Sequence, residues 1–173
     1  MQNIIILGDY SSGILTETII DFCSANGGVL YSGSGRLYKT NEVPAFQIFS
    51  LLSVSELNMP GSIVVFGSSL GGISKDIDLN GCTAVLDSSN AEALHRVSIS
   101  RCGAVGCSMS GHDTLTVSGM TDESTIMLSL RRTLKTAGGM IEPYDFIVKM
   151  QPDTPVYPVL AAAAVILLSG TEL

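Results

Sequence analysis

The segment with the clearest capacity for chemistry is Gly8-Asp9-Tyr10-Ser11-Ser12-Gly13-Ile14-Leu15. Its two glycines have the spacing of G-x-x-x-x-G-K-[ST]. In that loop backbone amides cradle phosphates, the lysine neutralises the outer phosphates and the hydroxyl ligates magnesium. Here Ile14 stands at the lysine position and Leu15 at the hydroxyl position. The first change removes a cation from beside a highly anionic group, and the second removes a metal ligand. Thr16 comes one residue late, so its hydroxyl leaves the helix in a different direction. Two readings remain: weak ATP or phosphate binding by the free amides of a helix N-terminus, or a plain strand-to-helix turn. No cofactor and no metal are expected.

Two further loops are rich in glycine and hydroxyls: Gly33-Ser34-Gly35-Arg36 and Gly67-Ser68-Ser69-Leu70-Gly71-Gly72. Both follow apolar runs that read as strands, and open α/β sheets bind ligands at the carboxyl ends of their strands. An anion site would therefore draw on Gly8, Asp9, Ser11, Ser12, Gly13, Ser34, Arg36, Ser68 and Ser69, with Arg36 and Lys75 supplying positive charge. The competing reading is that these are ordinary loops. His112-Asp113 is the one His–acid neighbour pair, His95 falls on a short helix, and G-x-S-x-G is absent, so no catalytic triad is expected. Asp76 and Asp78 lack a further carboxylate in register for a metal.

The elements that must position these loops follow from apolar runs and breakers. Asn3 to Leu7 reads as a buried parallel strand. Thr16 to Asn26 reads as a helix stopped by Gly27-Gly28, and Val29 to Tyr31 as a second strand, which together make a βαβ opening. Ser32 to Thr40 reads as a loop, and Glu42 to Leu57 as a helix with Pro44 in its first turn. Ser62 to Phe66 and Thr83 to Leu86 read as strands. Asn90 caps a short helix through Val97, and Ala104 to Cys107 is a fifth strand. Thr114 to Ser118, Ile126 to Leu130 and Glu142 to Met150 read as an antiparallel meander. Val156 to Leu168 is an apolar helix stopped at Gly170. The fold class expected is α/β: a three-layer, mostly parallel sheet with a P-loop-like βαβ opening, then a small antiparallel meander and a final apolar helix, all in one domain spanning residues 1–173.

Composition narrows the partners. Of 173 residues 46% are hydrophobic and 14% charged, with a net charge of −7. A chain so apolar builds a core rather than remaining disordered. Its few basic residues form no cluster beyond Arg131-Arg132, which disfavours nucleic acid and anionic membrane surfaces. The run from Val156 to Leu168 is shorter than the roughly twenty residues that span a bilayer. The N-terminus lacks the basic flank of a signal peptide, so a cytoplasmic location is expected. Cys23, Cys82, Cys102 and Cys107 form no C-x-x-C pair. The spacing of Cys102 and Cys107 puts them on opposite faces of a strand, so all four are expected as reduced thiols.

Taken as a block, the second half resembles the central domain of the Mur ligase family. Thr83-Ala84-Val85-Leu86-Asp87-Ser88-Ser89-Asn90 is similar to the family's T-A-V-L-N-A-D-D. His112 to Ser118 is similar to its D-[VL]-T-A-x-x-I strand, and Ile126 to Leu130 to its F-x-L strand. Thr154-Pro155-Val156-Tyr157-Pro158-Val159-Leu160-Ala161-Ala162 resembles H-N-V-Y-N-A-L-A-A. The resemblance implies an ancestry in ATP- and magnesium-dependent amide ligation for the cell wall. Residue by residue it implies losses. The P-loop lysine corresponds to Ile14, and the two nucleotide-contacting asparagines to Pro155 and Pro158. The acidic segment keeps only Asp87, and no D-H-L follows the third strand. The expectation is a degenerate, P-loop-like pseudoenzyme acting as a binding or regulatory module for a small anion or a protein partner. Two alternatives stand beside it. One is an enzyme using the same sheet edge, including a ligase subunit completed by another chain. The other is a structural subunit forming a homo-oligomer through an apolar face.

Overall fold

Short aliphatic runs too brief to fold alone gain stability by pairing side by side, and most of this chain is built that way. The computed structural model describes residues 1–8, 13–40, 42–122 and 124–171. In chain order the elements are β1 (Gln2–Leu7), α1 (Ile14–Ala25), β2 (Gly28–Gly33), β3 (Arg36–Lys39), β4 (Pro44–Leu51), β5 (Ile63–Phe66), β6 (Thr83–Asp87) and α2 (Ala91–Ser100). They continue with β7 (Gly103–Ser108), β8 (Leu115–Asp122), β9 (Thr125–Leu130), β10 (Leu134–Thr136), β11 (Gly139–Ile141), β12 (Tyr144–Lys149) and α3 (Val156–Leu168). Ten strands form one sheet in the order β12-β9-β8-β7-β6-β5-β1-β4-β2-β3, and β10 and β11 form a separate hairpin. From β2 to β8 neighbours run parallel. β3, β9 and β12 add antiparallel strands at the two ends. The mostly parallel α/β class is as expected from the sequence.

Three local expectations fail for identifiable reasons. Residues 44–51 form a strand, not part of a helix. Phe46, Ile48 and Ser50 are buried on one side, while Phe49 and Leu51 pack on the other. A strand buried on both faces gives a continuous apolar run whose periodicity matches a buried helix equally well. β4 also separates β2 from β1, so the opening strand–helix–strand is not a pair of adjacent strands. Residues 32–40 are not a loop but the hairpin of β2 and β3. Its two turn residues, Ser34 (φ 49°) and Gly35 (φ 72°), are both left-handed, as a two-residue turn between twisted strands requires. Finally, β8 is parallel to β7 and antiparallel only to β9.

The core lies on both faces of the sheet. One face, with α2, holds Leu57, Leu70, Ile73, Ile77 and Leu79 against β1, β5 and β6. The other face carries α1 and α3. Every residue of α3 from Tyr157 to Leu168 is buried, so this helix needs cover on all sides. The parallel strands lie beneath it and α1 beside it. β8, β9 and β12 direct Leu115, Ile126, Leu128 and Val148 into the same cluster. Two register shifts in β8, at Val117/Gly119 and Met120/Asp122, supply the bend that such a wrap needs. The wing curves until β12 faces α1 across a groove of about 500 Å³. No helix among the described residues is long and apolar enough to cross a membrane.

All four cysteines are free thiols, and Cys102 and Cys107 pack into the cores on opposite faces of the sheet, as their spacing requires. Burial pushes the Cys23 thiol up from 9.0 to about 12. Burial, with the charges of Asp113 and Asp87, raises Cys107 further still. In the native protein at about pH 8, neither should react with an aromatic disulfide reagent, while half-buried Cys102 reacts first. Between pH 9.0 and about 12 the unfolded chain releases a proton that folded Cys23 retains, so stability falls as pH rises through that window. Timed labelling with and without denaturant tests the first point, and urea midpoints at about pH 8 and pH 10 test the second. Native-state labelling of Cys23 as fast as Cys102 would contradict the packing of α1.

Candidate functional site

The carboxyl ends of the parallel strands bring together the loops that the sequence marks. The Gly8 amide donates to the Leu51 carbonyl at 2.9 Å, and the Gly67 amide to the Leu7 carbonyl at 2.8 Å. Gly8 is left-handed (φ 82°), and a Cβ there would stand 2.1 Å from the Ser69 carbonyl oxygen. Only glycine fits such a close approach of two backbones. The loop from Gly67 to Leu70 therefore lies directly on the corner where β1 ends, with Leu70 buried. Ser68 and Ser69 are exposed beside it. Asp9, Ser11 and Ser12 lie outside the described residues.

At the start of α1, Gly13 (φ 97°) is the N-cap, and no side chain caps the helix. Leu15, at the hydroxyl position of a phosphate loop, is 1% exposed and belongs to the larger core. Thr16 is also buried, its hydroxyl 3.3 Å from Ser50 Oγ, so it faces β4 rather than any ligand at the helix end. Ile14, at the lysine position, is half-buried.

Arg36 does reach the first turn of α1. It donates to Glu17 Oε1 at 2.7 Å and lies over the rings of Tyr31 and Tyr38 at 5.9 and 5.5 Å. The Glu17 carboxylate raises the Arg36 pKa further. The cation expected for an anion site is thus engaged by an acid, on an exposed flank, and Ser34 is exposed in the hairpin turn next to it. Lys75 is exposed in the loop between β5 and β6.

A polar cluster that no sequence motif marks lies at the ends of β6 and β7. Asp113 accepts hydrogen bonds from both Ser88 and Ser108. A Cβ on Gly106 would press on Ser88 Oγ and Asp113, so glycine there lets the three groups meet. Asp87 Oδ1 accepts from the Ser89 amide at 2.8 Å and its hydroxyl at 2.7 Å. Asn90 caps α2 by accepting from the Ala93 amide at 3.1 Å, and donates to the Gly67 carbonyl at 3.0 Å. Tyr157, at the start of α3, donates to the Phe66 carbonyl at 2.5 Å. Between them lies a recess of about 290 Å³ lined by Gly67, Ser68, Asp87, Ser89, Asn90, Ala91 and Tyr157. The signal was in Thr83 to Asn90, a strand running straight into four polar side chains. His112 is exposed, and its carbonyl accepts from Arg132 Nη2 at 2.9 Å. Among the described residues no three His, Cys, Asp or Glu side chains converge as metal ligands. The edge offers hydroxyls and carboxylates, and the Arg36 guanidinium beside it is paired with Glu17.

No family model matches the sequence, and no curated protein matches it by sequence. Solved structures do match in shape. A UDP-N-acetylmuramoyl-L-alanyl-D-glutamate–2,6-diaminopimelate ligase superposes with a TM-score of 0.63 at 11% identity, over 99% of this chain and 44% of that one. MurF from Acinetobacter baumannii gives 0.58 at 11% identity, over 100% and 43%. The MurF ligase of Thermotoga maritima in complex with ADP gives 0.57 at 12% identity, over 99% and 46%. The chain spans less than half the length of these ligases. At such identities the likeness is one of architecture, and the fold of this chain is the α/β fold of the Mur ligase central domain.

Proposed function

We propose that this chain is a Mur-ligase-fold domain that no longer carries out magnesium–nucleotide chemistry and serves as a binding module. The observation that carries the reading is Leu15, buried in the core at the position where a phosphate loop presents its metal-binding hydroxyl. Phosphoryl transfer depends on positioned cations and a bound metal. Ile14 supplies neither, Thr16 is turned to Ser50, and Arg36 is held by Glu17. The recess beside Asp87 favours a small polar ligand that is neutral or cationic over a phosphate, because a carboxylate forms part of its wall. Titration calorimetry with ATP, with and without magnesium, tests the reading. Heats indistinguishable from dilution up to millimolar nucleotide are expected. Micromolar, magnesium-dependent binding would overturn it and favour a ligase subunit completed by a partner chain.

A further inference from the structure

The wing of the sheet ends in β12, a strand whose outward-facing residues are complementary to themselves. Among the described residues β12 has β9 as its one strand neighbour, with Lys149 opposite Thr125. The Met150 amide donates to the Ser124 carbonyl at 2.8 Å. In an antiparallel ladder, backbone groups alternate between the two sides of a strand. The even-numbered residues of β12 thus bond to β9, and Asp145, Ile147 and Lys149 turn their amides and carbonyls outward. Their side chains share the face opposite Val148, which is in the core, and Ile147 is 60% exposed. An edge of this kind is a template for another strand. No proline interrupts Tyr144 to Lys149, and the groove of about 500 Å³ between β12 and α1 leaves room beside it.

We propose that β12 is a dimer interface, pairing antiparallel with β12 of a second copy about a two-fold axis at Ile147, so that Asp145 of each copy opposes Lys149 of the partner subunit. Charge selects this register. With Ile147 opposite itself, the outward-facing residues pair as Asp145–Lys149, Ile147–Ile147 and Lys149–Asp145, each exchanging two backbone bonds. An axis at Asp145 or at Lys149 would set like charges face to face, which is unfavourable. The two-fold operator repeats the ion pair, so one substitution acts twice. The interface is short, so a reversible equilibrium in the micromolar range is expected rather than an obligate dimer. This inference stands apart from the nucleotide reading, and neither fails with the other.

Sedimentation velocity on the full chain over a range of concentrations tests it. The unmodified chain should dimerise. Asp145→Lys and Lys149→Asp should each raise the dissociation constant about tenfold or more by creating two like-charge pairs, and the double exchange should restore it. Both side chains are exposed, so circular dichroism should be unchanged throughout. A chain monomeric at every concentration, single exchanges without effect, or a double exchange that fails to restore dimerisation would each overturn the proposal. So would a monomer that binds an isolated peptide of residues 143–150, since the edge would then take a lone strand and not a second copy.

Discussion

Arg96→Ala is expected to destabilise the protein by about 3 kcal/mol or more. Arg96 lies on α2 with 2% exposure, and its guanidinium is spent on backbone. It donates to the carbonyls of Leu70 (3.4 Å), Ile73 (3.0 Å), Ser74 (3.2 Å) and Glu92 (3.2 Å). Its ion pair with Glu92, 3.5 Å away and with that carboxylate 53% exposed, is the lesser part, because solvent screens it. Removing the side chain strands the Ile73 and Ser74 carbonyls, leaves the Leu70 carbonyl with the Ile73 amide at 2.9 Å, and opens a void beneath the loop. Arg96→Lys should recover only part of the loss, since an ammonium cannot match the planar fork that reaches several carbonyls at once. Urea denaturation measures both. Hydrogen exchange should rise around residues 70–82 and not in α3. Because the same segment covers Gly8, the site edge should loosen with it. A loss under about 1 kcal/mol would mean that burial of Leu70 and Ile73 holds the loop without the arginine.

Arg96 also shows what the sequence could and could not reveal. A basic residue in A-E-A-L-H-R-V-S reads as a solvated helix position, and nothing local says that a loop more than twenty residues earlier supplies its acceptors. Elements with one dominant signal were legible: α3 within its exact bounds, Asn90 as the cap of α2, β5 as a short, fully apolar strand. β4 was not, because two-sided burial erases the alternation that marks a strand. The β2–β3 hairpin was hidden because Ser34-Gly35 looks like any flexible dipeptide, although both residues take the left-handed conformation a tight hairpin needs. The meeting of the Gly8 and Gly67 segments at the carboxyl ends of β1 and β5 follows from element order alone. What each side chain does there does not. Arg36 was expected to offer charge to a ligand, but Glu17 on the facing helix takes it up. Asp113 neighbours His112 in sequence, while its partners Ser88 and Ser108 come from the ends of β6 and β7.

Introducing the phosphate-loop residues should fail to confer nucleotide binding. The double variant Ile14→Lys with Leu15→Thr recreates G-x-x-x-x-G-K-T in sequence, yet Leu15 is part of the core shared by α1, α3 and the sheet. Threonine there removes apolar volume and buries a hydroxyl, a loss of about 3 kcal/mol. Turning that hydroxyl towards a metal at the helix end would require α1 to rotate, which tears Ile19 and Cys23 from the same core. The Thr16–Ser50 contact opposes the same rotation. Ile14→Lys alone should leave stability nearly unchanged, because residue 14 is half-buried at a helix end and a lysine stem can cover the same apolar surface with its ammonium in water. Neither variant should bind magnesium-ATP detectably in calorimetry, and only the double variant should lose its urea midpoint. A double variant that kept its stability and bound nucleotide at micromolar concentrations would mean that two side chains alone separate this loop from a working phosphate loop. The present placement of α1 argues against that outcome, because the side chain at position 15 holds the core together.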